Sequence, residues 1–298
     1  MAKTPQNLTP YDIDLDRNPA NFQPLTPLQF LERAASTHPA FQVRVSVVQV
    51  IGEIRPAGAI GLLHNFINDP SDYVRSKTAE ALGKLNAAEA NHRLKSMIND
   101  RSADVRAKAA EKLLATDEDI ALEILLKDFN TPDDGLKSSI MLTLGDVKDE
   151  TARSKIIALL RDQMADSSEW IRIAAIGALG SLRDTTSIDL YTAALDDRSS
   201  SVREIAVGVL ATLKGKAMLD DLMKFLKDDE YSMRSVAIAG LGKIEDEALV
   251  SSKIIPALYD RLRNDDDMMV RVRAAYTLLD LFNDRAFTKK DMSNRTLK

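Results

Sequence analysis

The run DPSDYVRSKTAEALGKL, residues 69–85, decides the fold. It couples a turn, Asp69-Pro70-Ser71-Asp72, to an apolar residue and a base, Val74-Arg75, and then to Ala79, Leu82 and Leu85. Spacings of three and four residues place these apolar side chains on one face of a helix. The pair of an apolar residue and a base recurs as Val43-Arg44, Val105-Arg106, Leu136-Lys137, Ile171-Arg172, Val202-Arg203, Met233-Arg234 and Val270-Arg271. Intervals between the bases are 31, 31, 31, 35, 31, 31 and 37 residues. Four residues inserted around 161–165 and six around 246–253 account for the two longer ones.

The register extends beyond the pair. Four residues after each base stand Val48, Ala79, Ala110, Met141, Ile176, Val207, Ile238 and Ala275. Ten after each base stand Ile54, Leu85, Thr116, Val147, Leu182, Leu213, Ile244 and Leu281. A second apolar-periodic segment follows each time, as in Leu219, Leu222, Met223 and Leu226. Each repeat is therefore helix A, a turn, helix B and another turn, and no segment alternates with the period of a strand. The expected fold is all-α: about eight helical hairpins stacked as a right-handed solenoid. Gly52, Gly83, Gly145, Gly180 and Gly242 recur eight after the base. Glycine inside or near a helix end is costly, so its recurrence implies close helix approach or an exit turn.

Six residues before the base stand Asp69, Asp100, Asp166, Asp197, Asp228 and Asp265, in the turn from B to A. A carboxylate is favoured there by the helix N-terminus, and an arginine one hairpin away can fork onto it. Repeated through Arg75, Arg106, Arg172, Arg203, Arg234 and Arg271, this builds a structural ladder. The competing reading makes the arginines a row that binds phosphate or carboxylate ligands.

The same 69–85 run resembles the short HEAT repeats of the phycobilisome-lyase-like class, with their D-x-x-x-x-VR-x-x-A-x-x-AL-G pattern. The resemblance spans roughly residues 40–284 and implies a HEAT-repeat solenoid. It also implies an alternative function, that of a bilin-lyase or phycobilisome-processing subunit holding a tetrapyrrole and its acceptor protein. The aromatic-rich A helices of such lyases are not seen in this sequence.

Residues 1–25 carry Pro5, Pro10, Pro19 and Pro24 among polar residues and are expected to be an extended or disordered leader. The solenoid is expected over 26–284, opening on Thr26 as N-cap and Pro27 in a half-repeat that covers its end. Residues 285–298 are expected to be a polar tail. Residues 12–39 separately resemble the leader of AMP-forming acyl-CoA synthetases. The Ser/Thr/Gly-rich phosphate loop of those ligases is nowhere downstream, so no ligase activity is implied.

Hydrophobic residues make up 45% of the chain and charged ones 29%, with no cysteine and a net charge of −5. No disulfide or cysteine-ligated metal is possible, there is no apolar run of membrane-spanning length, and a cytoplasmic, soluble protein is expected. His38, His64 and His92 are followed by Pro39, Asn65 and Arg93, so the His-Glu dipeptides of HEAT-repeat deoxyhypusine hydroxylases are missing. No cofactor is expected. The serines at 167–168 and 199–201 read as helix caps, not nucleophiles. The acidic balance also argues against nucleic acid as a ligand, despite a HEAT-like class of DNA glycosylases.

What remains is a scaffold or adaptor for another protein, monomeric by itself. Helix B of each hairpin would line a concave wall, and residue types at its outward positions change between repeats: Asn65, His92, Lys95, Asp189, Thr192, Asp221 and Lys224. Trp170, the single tryptophan, occupies a variable slot two before the base. It is either partly covered by a neighbouring turn or an interface anchor.

Overall fold

The computed structural model describes residues 38–85 and 87–284. The leader over 1–25, the capped half-repeat opening at Thr26, the tail over 285–298 and nearly all of the 12–39 stretch lie outside these residues. Among the described residues every element is helical. No helix there is long and apolar enough to cross a membrane. The fold is an α-solenoid of paired helices, in two compact units, Met1–Ala109 and Ala110–Lys298.

In the first unit α1 (Phe41–Ile54) and α2 (Ala59–His64) form one hairpin, and α3 (Asp72–Leu85) and α4 (Ala88–Met97) the next. α5 (Ala103–Leu113) crosses the unit boundary. The second unit holds α6 (Glu118–Asp128), α7 (Asp134–Leu144), α8 (Glu150–Asp162), α9 (Glu169–Ser181), α10 (Ile188–Ala193), α11 (Ser200–Lys214) and α12 (Leu219–Phe225). It ends with α13 (Tyr231–Gly242), α14 (Ile255–Asn264) and α15 (Met268–Asp284). Odd-numbered helices are the A helices. In the second unit they pack in file, α7 on α9, α9 on α11, α11 on α13 and α13 on α15. Each B helix there packs on the A helix that follows it.

The inserted residues fall where B helices end or begin. α8 runs on into a 3₁₀ turn, Gln163–Ala165. Before α14 a short turn capped by the Asp246 carboxylate leads into a π-helical segment, Val250–Ile254. A π segment absorbs extra residues without breaking the helix.

Packing follows the repeat register, with departures at Ile54, Thr116 and Ala275. The slot four after the base is fully buried at Val48, Ala79, Met141, Ile176, Val207 and Ile238, but Ala275 is exposed on α15. Ile54, expected in the buried stripe, is exposed. α1 ends there, and the left-handed backbone of Arg55 turns the chain away.

The recurrent glycines mark close helix contact. A Cβ built on Gly52 would lie 2.8 Å from the Ala81 Cβ, and one on Gly145 2.9 Å from the Ala178 Cα. One on Gly180 would lie 2.6 Å from a Val209 methyl, and one on Gly242 2.7 Å from Thr277. The slot eight after one base thus meets the slot six after the next. Between α11 and α13 the roles are exchanged: Ala211 fills the first slot and Gly240 the second, with 3.1 Å between their Cβ positions.

Candidate partner-binding surface

Most of the recurrent arginines are engaged in structure. Arg75 sets its Nε 2.7 Å from Oδ2 of Asp100 and its Nη2 2.8 Å from Oδ1. Arg172 forks onto Asp197 at 2.8 and 2.7 Å. Arg234 donates to Asp265 from Nε and Nη2, at 3.0 and 2.9 Å, and Nη2 also donates to Asp266 at 2.6 Å. Arg44, outside the expected set, makes the same fork onto Asp69 at 2.7 and 2.9 Å.

The third arm of each guanidinium, Nη1, returns to a carbonyl of its own turn. Arg75 reaches Asp69, Arg172 reaches Asp166 and Arg234 reaches Asp228, at 2.7, 2.9 and 2.8 Å. Arg106 and Arg271 make the same return to Asp100 and Asp265, at 2.8 and 2.6 Å. The aspartate in turn accepts from the amide two residues on, as Asp69 does from Ser71 and Asp197 from Ser199. One carboxylate therefore ends a turn, starts a helix and holds the preceding hairpin.

Two rungs differ from the expected ladder, and two serines from their expected role as caps. Arg203 donates from Nη2 alone to Glu230, at 2.6 Å to each oxygen, and not to the Asp228 carboxylate. The longer glutamate side chain, two residues beyond Asp228, takes the guanidinium, and the Asp228 carboxylate accepts from the Glu230 amide at 2.9 Å. Lys137 approaches Asp166 only to 3.9 Å, because an ammonium on a flexible stem cannot fork. The hydroxyls of Ser168 and Ser199 cap no helix; the aspartates accept the backbone hydrogen bonds, and Ser199 Oγ donates to Glu169.

The rungs carry an electrostatic signature. Burial pushes the Asp69, Asp100 and Asp265 carboxyls up, but the arginine forks and backbone amides outweigh it and hold all three below the usual carboxylate range. The Arg172 fork alone is the largest influence on Asp197, with the same net direction. A carboxyl whose pKa is lower in the folded than in the unfolded chain stabilises the fold above its unfolded value. That stabilisation is lost as pH falls toward the folded value. Urea midpoints should accordingly hold nearly level from neutral pH to about 5 and drop below about 4. In the double variant Arg172→Met/Asp197→Leu the drop should be shallower than in the parent. An unchanged acid limb would mean the rung contributes nothing to it.

A further polar cluster joins α8 to α10. Arg161 donates to Ser187 at 2.6 Å and to Asp184 at 3.1 Å, Ser187 donates to Asp184, and the Tyr191 hydroxyl donates to the Asp184 carbonyl at 3.2 Å. Burial drives the Tyr191 phenol well above its ordinary pKa. Tyr191 has no solvent-exposed surface, and these groups satisfy one another, so the cluster is a structural joint. No group of three or more potential metal ligands converges among the described residues.

The surface left over is varied. Asn65, at the end of α2, and His92 on α4 are exposed, and Lys95 on α4 is half-buried. Asp189 and Thr192 on α10 and Asp221 and Lys224 on α12 are exposed. At the starts of the A helices, Trp170 is 65% exposed and Tyr231 54%. An open groove of about 580 Å³ lies beside Tyr231, lined by Glu204, Asp229, Glu230, Asp266 and Asp267. Arg234 also borders it but is held by Asp265 and Asp266. None of the B-helix candidates lines this groove, nor does Trp170. Tyr231 escaped the sequence reading because it stands three before its base, where the aligned aromatic slot is two before.

A model of HEAT repeats matches residues 28–115, 121–211 and 188–279. No curated protein matches the chain. Among solved structures, the Escherichia coli protein YibA is 22% identical over 86% of this chain and 93% of its own, with a TM-score of 0.54. Looser likenesses are the CpcE–CpcF complex of phycocyanin lyase from Nostoc and human deoxyhypusine hydroxylase. The first is 19% identical over 93% of this chain and 95% of its own, with a TM-score of 0.41. The second is 20% identical over 87% and 96%, with a TM-score of 0.35. The YibA likeness establishes the fold alone.

Proposed function

The chain belongs to the HEAT-repeat family, and from that footing we propose that it is a scaffold that binds another protein and carries no chemistry of its own. One observation carries the reading. Slots that recur between repeats are spent on the core, the glycine contacts and the arginine rungs, while the exposed positions on the B helices differ from hairpin to hairpin. Fixed packing slots beneath a varied surface are what a shaped binding face requires. The partner lies along the B-helix side, with Trp170 as a rim contact, and the acidic character of the chain favours basic segments in that partner.

The reading is tested by capture from native lysate with the parent and two variants, Lys95→Glu in the first unit and Asp189→Lys/Lys224→Glu in the second. At least one variant should lose a protein that the parent retains, with stability unchanged within about ±0.5 kcal/mol. If both retain everything and a chain lacking residues 12–24 does not, binding belongs to the N-terminal segment and the B-helix reading fails. The bilin-lyase alternative rests on the resemblance of residues 69–85. It calls for a change in bilin absorbance on mixing with this protein, and the scaffold reading calls for none.

A further inference from the structure

Exposed aromatic residues stand in the first turn of four A helices: Phe41 on α1, Tyr73 on α3, Trp170 on α9 and Tyr231 on α13. The two in the first unit are met from within. Phe41 and Tyr73 pack edge to face, with ring centres 6.5 Å apart. Lys77, one helical turn after Tyr73, holds its Nζ 5.7 Å from the centre of that ring. The residues four after Trp170 and Tyr231 are Ala174 and Ser235, which carry no charge. Arg234, the base that follows Tyr231, is held by Asp265 and Asp266. The rings of Trp170 and Tyr231 are thus left open to a cation from outside the chain.

The groove beside Tyr231 has the charge such a cation needs. Five carboxylates line it, those of Glu204, Asp229, Glu230, Asp266 and Asp267, with Arg234 as the base among its lining residues. Arg203 and Arg234 draw on Glu230 and Asp266, and Asp267 accepts from two amides at the start of α15. Glu204 and Asp229 remain for a ligand. Three ligands do not converge on a metal site among the described residues, so the matching cation is an organic one. An apolar occupant would strip the carboxylates of water and give nothing in return, and an anion would be repelled. A guanidinium or ammonium group meets the carboxylates and the open face of the ring together.

The stacking sets a length. α9 packs on α11 and α11 on α13, so Trp170 and Tyr231 begin helices two steps apart. At the usual interaxial distances that is about 16–20 Å, which an extended chain spans in about five or six residues. Between them α11 opens with Ser200 and Ser201, small side chains that leave the path across its first turn clear.

We propose that the starts of α9, α11 and α13 form a docking surface for an extended basic segment of a protein partner. One arginine or lysine lies on the Tyr231 ring against Glu204 and Asp229, and another, about five or six residues away, lies on Trp170. The proposal rests on the scaffold reading and adds to the B-helix wall a second face with a partner of stated chemistry.

Fluorescence anisotropy on the full chain tests this with two labelled peptides of glycine and serine. One carries two pairs of arginines about six residues apart, the other glutamates in their place. The parent should bind the arginine peptide saturably, with a change in the emission of Trp170, the single tryptophan, and leave the glutamate peptide unbound. Tyr231→Ala and Glu204→Gln/Asp229→Asn, each checked by thermal melting, should weaken binding about fivefold or more. Tyr231→Phe, which keeps the ring, should stay within about twofold of the parent. Asp189→Asn/Asp221→Asn removes the same charge from the B helices and should also stay within about twofold. No binding of the arginine peptide up to about 1 mM overturns the proposal. So does an equal loss from the groove pair and the B-helix pair, which would reduce the effect to net charge. Unchanged Trp170 emission at saturation overturns the two-point contact. A protein captured from lysate that is lost with the B-helix variants and kept by the groove variants overturns this surface and leaves the scaffold reading standing. Intact peptide binding beside an empty lysate capture by the parent counts against the B-helix wall alone.

Discussion

Arg234→Ala should destabilise the protein by about 3 kcal/mol or more, the usual scale for stripping one partner from a buried charged pair. The guanidinium gives up three hydrogen bonds to Asp265, one to Asp266 and two to the carbonyls of Asp228 and Asp229. The Asp265 side chain is fully buried and still accepts from Arg261, at 3.1 Å, and the Asp267 amide, at 3.1 Å. Those two hold the cost toward the lower end of the range. Arg234→Lys should recover part of the loss, because an ammonium satisfies one oxygen but cannot span both. Arg203→Ala provides the contrast. Its Nη2 alone reaches Glu230, nearly half exposed, and such a pair is worth about 1 kcal/mol or less. Urea midpoints at neutral pH measure the difference, and equal losses at the two sites would contradict the distinction between a buried rung and a rim pair.

The second large effect is at a glycine. Gly145→Ala places a methyl group 2.9 Å from the Ala178 Cα, 3.1 Å from its carbonyl oxygen and 3.0 Å from the Leu142 carbonyl oxygen. These are backbone atoms, so α7 and α9 must move apart, at a cost of about 1–3 kcal/mol. Gly208→Ala lies inside α11, where a Cβ meets nothing within 4 Å. It should stabilise by up to about 1 kcal/mol, the propensity difference between the two residues in a helix. Opposite signs from one chemical change isolate the contact itself. A destabilised Gly208→Ala, or an indifferent Gly145→Ala, would refute the contact geometry.

The fold was legible because every repeat spells the same packing problem. A base with apolar neighbours at −1, +4 and +7 can be buried along a helix in only one way, so one run of seventeen residues, 69–85, predicted the rest. The ends of that stripe were less legible. Ile54 fits the pattern yet is exposed, since the backbone turns at Arg55, and nothing in apolar spacing marks that turn. The rungs divide in the same way. Asp197 and Asp265 stand where spacing puts them, but spacing cannot tell which of two nearby acids, Asp228 or Glu230, an arginine will take; side-chain reach decides it. The exposed aromatics were half legible. Trp170 stands out as the single tryptophan, whereas Tyr231 is one residue out of register and becomes noticeable only beside its groove.

The unequal rungs give the second unit a mechanical order. In a stack where each hairpin touches only its neighbours, the weakest junction sets where the stack parts, whatever the strength of the others. From α9 to α11 the junction is clamped by a fork from a buried arginine, and from α13 to α15 by a fork buried at both ends. From α11 to α13 it relies on Arg203 and a Glu230 that water and salt can reach. From α7 to α9 there is no fork, since Lys137 comes only to 3.9 Å from Asp166. Junctions in series carry the same tension, so these two would yield before the clamped ones. The second unit behaves as a chain of unequal links, weakened at one by a lysine that cannot fork and at another by a glutamate standing two residues beyond the aspartate slot.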